Sequence, residues 1–481
     1  MIDFKRVPLM EGLRIYTEEG NARFHMPGHR NEEALEEIMY LSQHLFDFDV
    51  TEVKGTDNLH YPEEIIKESQ KLLAEAMGAQ ESLYCVNGST ASNYSMIFGL
   101  LKRQDQVLVQ RNCHQSIYNA MALLDLDPVF LMPDFLEEFE IPATVSLEEI
   151  RKRHEAHREA KAVILTSPTY HGSLADIKAI ATYCRENGLY LLVDEAHGAH
   201  FPFSSLLPAS ALQQGAHASS VSFHKTLPCL TQGSVLNLSS FLTDSERSRI
   251  RHYHRIFQTS SPSYPLLASM EMARYLMEND GERLYAELLE NIRELKKILS
   301  GIPGLRVYEG SDINLQDGTR LVISTPLQGT VVDGLLRRDF RIQCEMTEER
   351  NLIFILSPYD RKEDLLRIGT SLREIYESRR AQWEDPAKKT TVLPESYGAL
   401  PKRRYSEGEV LFLEQEEVDL HSALNRVSME RVIPYPPGVP LLLPGEVISS
   451  EILDNLLRLK DKGANILKSR TGQKGTISVL K

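Results

Sequence analysis

Residues 189–197 read Leu-Tyr-Leu-Leu-Val-Asp-Glu-Ala-His. The continuous apolar run predicts a strand of a parallel sheet that helices cover on both faces, since such a strand has no side facing solvent. A strand of this kind delivers Asp194 to the carboxyl end of the sheet, where α/β folds bind their ligands. An apolar strand ending in Asp-Glu is common in α/β enzymes, so alone it indicates a fold class rather than an activity.

A lysine further along the chain, in Ser222-Phe223-His224-Lys225, suggests the ligand. Its amine can have a pKa lowered by the surroundings, and such an amine can hold the aldehyde of pyridoxal phosphate covalently. Asp194 under the pyridine nitrogen would keep that nitrogen protonated, which lets the ring accept the electron pair of a broken bond. The lysine motif alone could be an ordinary polar turn, but with Asp194 it predicts a pyridoxal phosphate site.

A third segment could bind the phosphate group. Residues 82–87 indicate a buried strand, Gly88-Ser89-Thr90 a small polar turn, and residues 94–101 a helix. Free backbone N–H groups and the dipole at the start of a helix bind anions, and Ser and Thr hydroxyls add hydrogen bonds. A plain Ser/Thr N-cap would explain this turn by itself. The order of turn, Asp194 and Lys225 favours a phosphate cradle.

Composition excludes several other classes of protein. The chain has 481 residues, 42% of them hydrophobic, and a formal charge of -14. It is long enough for more than one domain, and its charge argues against nucleic-acid binding through a basic surface. No apolar stretch approaches the length of about 18 residues that spans a bilayer, so we expect a cytoplasmic protein that does not bind membranes. The five cysteines have neither zinc-site nor disulfide spacing, and we expect free thiols and no metal.

Breaker-rich stretches predict the domain organisation. Strands are expected at residues 320–324 and 352–356, and helices at residues 266–299 and 362–380. The predicted units are an N-terminal arm (1–20), a cofactor-binding large domain (21–300), a smaller α/β domain (301–385), a linker (386–404) and a small C-terminal domain (405–481).

Six motifs, in this order, resemble those of the Orn/Lys/Arg decarboxylase family. They are Phe24-His25-Met26-Pro27-Gly28-His29, Val86-Asn87-Gly88-Ser89-Thr90, Arg111-Asn112-Cys113-His114-Gln115-Ser116, Ser167-Pro168-Thr169-Tyr170-His171-Gly172, Asp194-Glu195-Ala196-His197-Gly198-Ala199-His200 and Ser222-Phe223-His224-Lys225. Weaker similarity continues through Tyr435-Pro436-Pro437-Gly438. The resemblance implies the aspartate aminotransferase fold, which is pyridoxal phosphate fold type I. The chain is similar to the short form of the family, without the N-terminal wing domain.

The resemblance also implies roles for individual residues. His114 would stack on the cofactor ring, Ala196 would pack beneath it, and His197 would lie near its phenolic oxygen or the substrate carboxylate. Outside the family, His114 would be read as a surface histidine at a strand end. The implied cofactor-binding residues are Gly88, Ser89, Thr90, His114, Asp194, Ala196, His197, Ser222, His224 and Lys225. Those implied in catalysis are Lys225, Asp194, His197 and His114.

By the same resemblance, the reaction is decarboxylation of a basic L-amino acid in polyamine biosynthesis, with arginine favoured over lysine or ornithine. Glu345 and Asp57 are candidates for binding the distal cation, and for each the alternative is a surface carboxylate or a turn cap. Lys225, His197 and Tyr170 are candidate proton donors to the α-carbon. Residues 259–265 are expected to reach the site of a neighbouring subunit, in a homodimer or a higher homo-oligomer with shared active sites.

Two other functions remain open at this point. One is an aminotransferase or carbon–sulfur lyase on the same fold, since one fold hosts many chemistries. An aminotransferase would carry an arginine near its C-terminal domain for the substrate α-carboxylate, and the sequence does not identify one. The other is a paralogue that binds the cofactor without catalysis, which the presence of Lys225, Asp194 and His114 argues against.

Overall fold

The computed structural model describes residues 7–30, 36–310, 315–384, 400–435, 439–461, 465–469 and 475–481. Its largest sheet has seven strands. In spatial order these are Glu81–Cys85, Ser234–Leu238, Ala218–Val221, Tyr190–Asp194, Ala162–Thr166, Gln106–Gln110 and Asp127–Leu131. Ser234–Leu238 pairs antiparallel with both neighbours, and all other pairs are parallel. The predicted α/β fold with a mainly parallel sheet is therefore confirmed.

The strand Tyr190–Asp194 shows why an apolar run is needed here. Leu191 and Val193 pack into a hydrophobic core on one face of the sheet, and Leu192 packs into the core on the other face. Successive side chains of a strand point to opposite faces, so a strand covered on both sides must be apolar throughout. The helices around the sheet are Ile65–Met77, Gly88–Leu100, Gln115–Leu124, Leu147–Ala156, Ile177–Glu186 and Asp244–Ile256.

A 37-residue helix, Tyr264–Ser300, leads from the large sheet to a second α/β unit. Ser263 caps the start of this helix through its hydroxyl, and Gly301 follows its end. The smaller sheet contains, in spatial order, Arg306–Val307, Arg320–Ser324, Asn351–Ile355 and Met346–Thr347, all paired antiparallel. The helices beside it are Gly329–Phe340 and Lys362–Ser378. The strand Ala22–Phe24 pairs in parallel with Ile342–Cys344, which ties the N-terminal motif to this unit.

Residues 400–481 have a hydrophobic core of their own, which includes Leu442 and Ile452. The elements of this part are Glu407–Val410, Gln415–Asp419 paired with Thr476–Leu480, Val432–Tyr435 paired with Asn465–Lys468, and the helix Ser450–Asp461. A buried ion pair joins it to the large sheet. Arg111 donates from Nη1 to Glu446 Oε1 and from Nη2 to Oε2, at 2.9 Å each, and from Nε to the carbonyl of Pro440 at 2.9 Å.

We expect Glu446→Gln to lower the free energy of unfolding by about 3–5 kcal/mol, because it leaves the buried Arg111 guanidinium without its counter-charge. Urea denaturation of purified variants measures this. Glu416→Gln is the control, since Glu416 pairs with Arg426 on the surface of the same unit, and such pairs contribute about 1 kcal/mol or less. Equal effects of the two substitutions would contradict the prediction.

The predicted elements are present with shifted ends. The strand at 320–324 has the predicted bounds, and the strand predicted at 352–356 is Asn351–Ile355. The helix predicted at 94–101 begins at Gly88, because the polar turn is itself the first helical turn. The helix predicted at 362–380 ends at Ser378, and a short helix, Arg380–Trp383, follows. The predicted arm holds the helix Pro8–Glu18. The exact domain boundaries stay a prediction.

The remaining described elements are short. They are the helices Glu36–Gln43 and Phe223–Thr226, and the strand pairs Phe135–Leu136 with Ile141–Pro142 and Ser173–Leu174 with Leu315–Gln316. Most of the predicted linker and residues 436–438 lie outside the described residues. All five cysteines are free and buried, as expected. Within the described ranges, no helix combines the length and the hydropathy that a membrane crossing requires.

Candidate active site

Asp194 and Lys225 emerge at the same edge of the large sheet. The strands that precede them, Tyr190–Asp194 and Ala218–Val221, are adjacent and parallel, so their carboxyl ends lie side by side. Asp194 is 2% exposed. Its Oδ1 accepts a hydrogen bond from the backbone N–H of Ala196 at 3.2 Å, and its Oδ2 accepts one from Asn93 Nδ2 at 3.1 Å. The carboxylate is thus held in one orientation inside the protein.

Lys225 lies in the short helix Phe223–Thr226, and its Nζ is 3.0 Å from Nε2 of His197. Burial lowers the pKa of Lys225, and the negative charge of Asp194 opposes this effect. An amine with a lowered pKa carries its free electron pair at a pH nearer to neutral, which a nucleophile toward an aldehyde requires.

His197 lies between two basic side chains. Its Nδ1 is 3.1 Å from Nη2 of Arg320, on the side opposite Lys225, and its ring packs edge-on against Tyr170 with centroids 5.3 Å apart. Burial lowers the pKa of His197 well below its usual range, and the charges of Lys225 and Arg320 lower it further. The imidazole is therefore neutral at physiological pH.

His114 caps the helix Gln115–Leu124. Its Nδ1 accepts a hydrogen bond from the backbone N–H of Ser116 at 3.2 Å, as an N-cap side chain does. Asn93 Nδ2 donates hydrogen bonds to Ser116 Oγ, at 2.9 Å, and to Asp194. Asn93 therefore connects the start of this helix with Asp194. Burial lowers the pKa of His114, and the nearby Asp194 opposes this. A solvent-exposed imidazole with a lowered pKa near Asp194 has the character of a ring-stacking group.

The helix Gly88–Leu100 begins beside a group of serine hydroxyls. Gly88 has φ of +72°, a conformation that glycine adopts without strain. Ser89 Oγ contacts Ser222 Oγ and lies 3.2 Å from Ser234 Oγ, which is 3.0 Å from Ser92 Oγ. The first N–H groups of a helix have no partner within it, so this end combines free N–H donors with hydroxyls, as a phosphate group needs.

Two other predicted residues lie at the edges of this arrangement. Thr90 is exposed. His224 contacts the carbonyl of Gly233 through Nδ1 at 3.0 Å, and burial lowers the pKa of His224. Thr90 directly follows Ser89, and His224 comes two residues after Ser222, so both adjoin the serines of the phosphate cradle.

Glu345 connects the smaller unit with the site. Its carboxylate accepts hydrogen bonds from the Tyr170 hydroxyl and from the backbone N–H of Met26, the latter at 2.9 Å. It also lies close enough to Lys225 to act on that amine electrostatically. Glu345 therefore belongs to the same side-chain cluster as Lys225 and Tyr170.

Asp57 lies in a turn before the helix Ile65–Met77. Its carboxylate accepts backbone N–H bonds at 2.8–3.0 Å from four residues, Asn58, Glu63, Glu64 and Ile66. This arrangement corresponds to the turn-cap alternative. A substrate role for Asp57 stays a prediction that these contacts do not support.

The sequence did not identify three polar residues at the site, namely Asn93, Ser234 and Arg320. Asn93 is five residues after Gly88, and its polar side chain at a buried position of an apolar helix was a usable signal. Arg320 opens a strand of the smaller unit, and nothing in its local sequence connects it with His197, which is 123 positions away. Among the described residues, no group of three or more His, Cys, Asp and Glu could hold a metal ion.

Models of known protein families match most of this chain. The model described as "Orn/Lys/Arg decarboxylase, major domain" matches residues 7–321, and the model of the family's C-terminal domain matches residues 399–466. The chain belongs to the Orn/Lys/Arg decarboxylase family. Membership confirms the predicted family and the predicted class of enzyme, a pyridoxal-phosphate-dependent amino acid decarboxylase.

Individual relatives are similar to this chain in sequence over nearly its whole length. A Bacillus subtilis protein named "Uncharacterized protein YaaO" is 34% identical over 94% of this chain and 94% of its own length. A second B. subtilis relative, named arginine decarboxylase, is 30% identical over 98% of each. The crystal structure of Francisella novicida lysine decarboxylase is similar with a TM-score of 0.79 at 21% identity, covering 90% of this chain and 74% of that one. This structural likeness confirms the fold of the family.

Proposed function

We propose that this decarboxylase converts a basic L-amino acid, preferably arginine, to the amine by loss of carbon dioxide, with pyridoxal phosphate bound at the site around Lys225. Lysine and ornithine are weaker candidate substrates. The proposal rests on one juxtaposition above all, the 3.0 Å contact of Lys225 with His197 beside the buried carboxylate of Asp194. For arginine, the product would be agmatine, in polyamine biosynthesis.

The charges and hydrogen-bonding groups around Lys225 support pyridoxal phosphate as the cofactor. The phosphate would bind at the start of the helix Gly88–Leu100, to the N–H groups and hydroxyls of residues 88–90 and to Ser222 and His224. The pyridine nitrogen would bind Asp194, with His114 on one ring face and the small Ala196 on the other. The aldehyde would bind Lys225. When bound, the cofactor supplies an acceptor for the electron pair that departing carbon dioxide leaves.

The protein's own groups would then handle the proton that the α-carbon must receive. Nζ of Lys225 and Nε2 of His197 are 3.0 Å apart, so each is within proton-transfer distance of the other. Tyr170 is a third candidate donor, but its hydroxyl already donates to Glu345. Because His197 is neutral, we favour Lys225, in its ammonium form during turnover, as the donor to the α-carbon, with His197 as its hydrogen-bonding neighbour.

Substrate choice would depend on Glu345. A guanidinium can donate two parallel hydrogen bonds to a carboxylate, which an ammonium cannot do, so a carboxylate that met the distal cation would favour arginine. The relative named arginine decarboxylase supports this choice. The contacts of Glu345 with Met26 and Tyr170 hold its carboxylate in one orientation.

A product assay tests the proposal. The purified protein with pyridoxal phosphate is offered arginine, lysine and ornithine separately, and carbon dioxide, amine and keto acid are measured. We expect carbon dioxide and agmatine from arginine, with a higher kcat/KM than for the other two. A keto acid product would instead indicate an aminotransferase, for which Arg320 is a buried guanidinium of the required kind. Cofactor absorbance without turnover would indicate a non-catalytic paralogue.

Glu345→Gln should weaken the use of arginine by about 2–5 kcal/mol, or roughly thirtyfold and more in KM, because a desolvated charge pair loses one partner. Steady-state kinetics measure this, and thermal unfolding should change little. Glu348→Gln is the control, since Glu348 bonds with His171 and Asn351 and should affect stability instead. Unchanged kinetics for Glu345→Gln would remove Glu345 from the substrate site.

We extend the proposal to a homodimer in which residues 259–265 complete the neighbouring site. In this segment Thr259, Ser260 and Ser261 are exposed, and the carbonyl of Thr259 contacts His60 Nε2 at 2.9 Å, which holds the loop in place. An exposed polar loop fixed at its base is suited to contacts with a second subunit. Sedimentation of the purified protein measures the oligomeric state.

A further inference from the structure

Arg320 is buried next to the site, and its hydrogen bonding is incomplete. Nη2 contacts Nδ1 of His197 at 3.1 Å, whereas Nε and Nη1 have no hydrogen-bond partner among the described residues. Unpaired buried donors lower the free energy of unfolding, so the presence of Arg320 at this position reduces the stability of the fold. The residue that Arg320 contacts, His197, also contacts Lys225.

The turn that contains Tyr170 approaches residue 320 closely. Gly172, the last residue of the motif that contains Tyr170, has φ of +89°. A Cβ added at Gly172 would lie 2.7 Å from Cβ of Arg320, a distance that side chains do not tolerate. The glycine therefore permits the close approach of this turn to the strand that Arg320 begins, from which the guanidinium reaches His197.

The contacts determine where the imidazole proton lies. A guanidinium donates hydrogen bonds, does not accept them, and keeps its charge. Nδ1 of His197 must therefore be the acceptor, and the single proton of the neutral ring is on Nε2. Nε2–H points at Nζ of Lys225, which accepts it through a lone pair. An ammonium group has no lone pair, so this arrangement is compatible only with a free amine at Lys225.

We infer that Arg320 is a positioning residue that holds His197 in the Nε2–H tautomer and so keeps Lys225 as the free amine that reacts with the cofactor aldehyde. The inference deepens the proposed function and rests on it for the identity of the aldehyde. The proton arrangement itself belongs to the protein without cofactor and is measured there.

Charges around the pair act in both directions. His197 faces Lys225, Arg320, His114, His224 and Tyr170. Burial has the largest effect on the pKa of Lys225 and lowers it, and the charge of Arg320 also lowers it. The carboxylates of Asp194 and Glu345 raise this pKa. The two carboxylates favour the ammonium form of Lys225, which opposes the effect of burial on its pKa. The cation at Arg320 and the hydrogen bond that it imposes on His197 add to the effect of burial.

The test uses the cofactor-free protein and its Arg320→Met variant. The rate of Lys225 acetylation by acetic anhydride, read by peptide mass spectrometry from pH 6 to 11, gives the pKa of this amine. We expect the midpoint to rise by about one pH unit or more in Arg320→Met, because the imidazole can turn its acceptor nitrogen to an ammonium. Nitrogen-15 spectra of labelled histidine, with His197→Asn to assign the signal, should show the Nε2–H tautomer in the unmodified protein.

Arg274→Met is the matched control, since Arg274 is also buried with an unpartnered Nε but pairs with Glu278 in the long helix. It should leave the midpoint unchanged. Arg320→Leu, which also has no donor for Nδ1 of His197, repeats the test if the methionine variant does not fold. An unshifted midpoint, or a proton on Nδ1 of His197 in the unmodified protein, would overturn the inference. Loss of carbon dioxide release with these readouts as expected would count against the proposed function instead.

Discussion

Lys225→Ala is expected to end both covalent retention of pyridoxal phosphate and decarboxylation. The reason is chemical, because alanine has no nucleophile, and the neighbouring His197 cannot replace an amine in binding an aldehyde. We expect activity to fall about a thousandfold or more, the scale on which a lost covalent catalyst acts. Borohydride reduction followed by peptide mass mapping should find the cofactor on Lys225 in the unmodified protein and on no peptide of the variant.

Lys178→Ala is the control for this experiment. Lys178 is exposed on the helix Ile177–Glu186, so its loss should affect neither cofactor retention nor turnover. Cofactor recovered on a different lysine of the unmodified protein would overturn the assignment of Lys225.

Asp194→Asn should fold and bind cofactor but lose turnover. The substitution keeps the size of the side chain and removes the charge that would stabilise a protonated pyridine nitrogen. Preorganised electrostatic groups of this kind contribute about 2.7–4 kcal/mol, so kcat should fall roughly 100- to 1000-fold. Steady-state kinetics measure the loss, and circular dichroism and cofactor absorbance check fold and binding.

The adjacent residue offers a matched comparison. Glu195 is equally buried, and burial raises its pKa to about 8, so it is largely uncharged at pH 7. Glu195→Gln replaces a neutral acid by a neutral amide and should leave kcat near its original value. If Glu195→Gln and Asp194→Asn reduced kcat equally, the role of Asp194 would be structural.

The sequence predicted those parts of the site that follow directly from a strand. Asp194 could be predicted because it ends an apolar strand of a parallel sheet, whereas Lys225 was predicted from its motif, Ser222-Phe223-His224-Lys225, and from its order after Asp194. The start of the helix Gly88–Leu100 was found for the same reason as Asp194. For Asp194 and for this helix start, a local pattern of apolar residues fixes where the polar residue must lie.

Arg320 could not be found in this way. It begins a strand of the smaller sheet, and its position next to His197 depends on how the two α/β units pack along the helix Tyr264–Ser300. A local pattern does not encode such packing. Asp57 illustrates the converse, since a carboxylate within a recognisable motif bonds to four backbone N–H groups of its own turn.

The ion pair of Arg111 with Glu446 has a consequence for the history of the gene. The two family models, at residues 7–321 and 399–466, cover separate stretches, as if they were exchangeable modules. However, Arg111 is three residues before His114, and its guanidinium forms its ion pair with Glu446, a residue of the C-terminal part of the chain. Recombination that supplied a C-terminal domain without an acid at this position would leave a buried charge without its counter-charge three residues before His114. We therefore expect the arginine and the glutamate to be inherited, lost or replaced together.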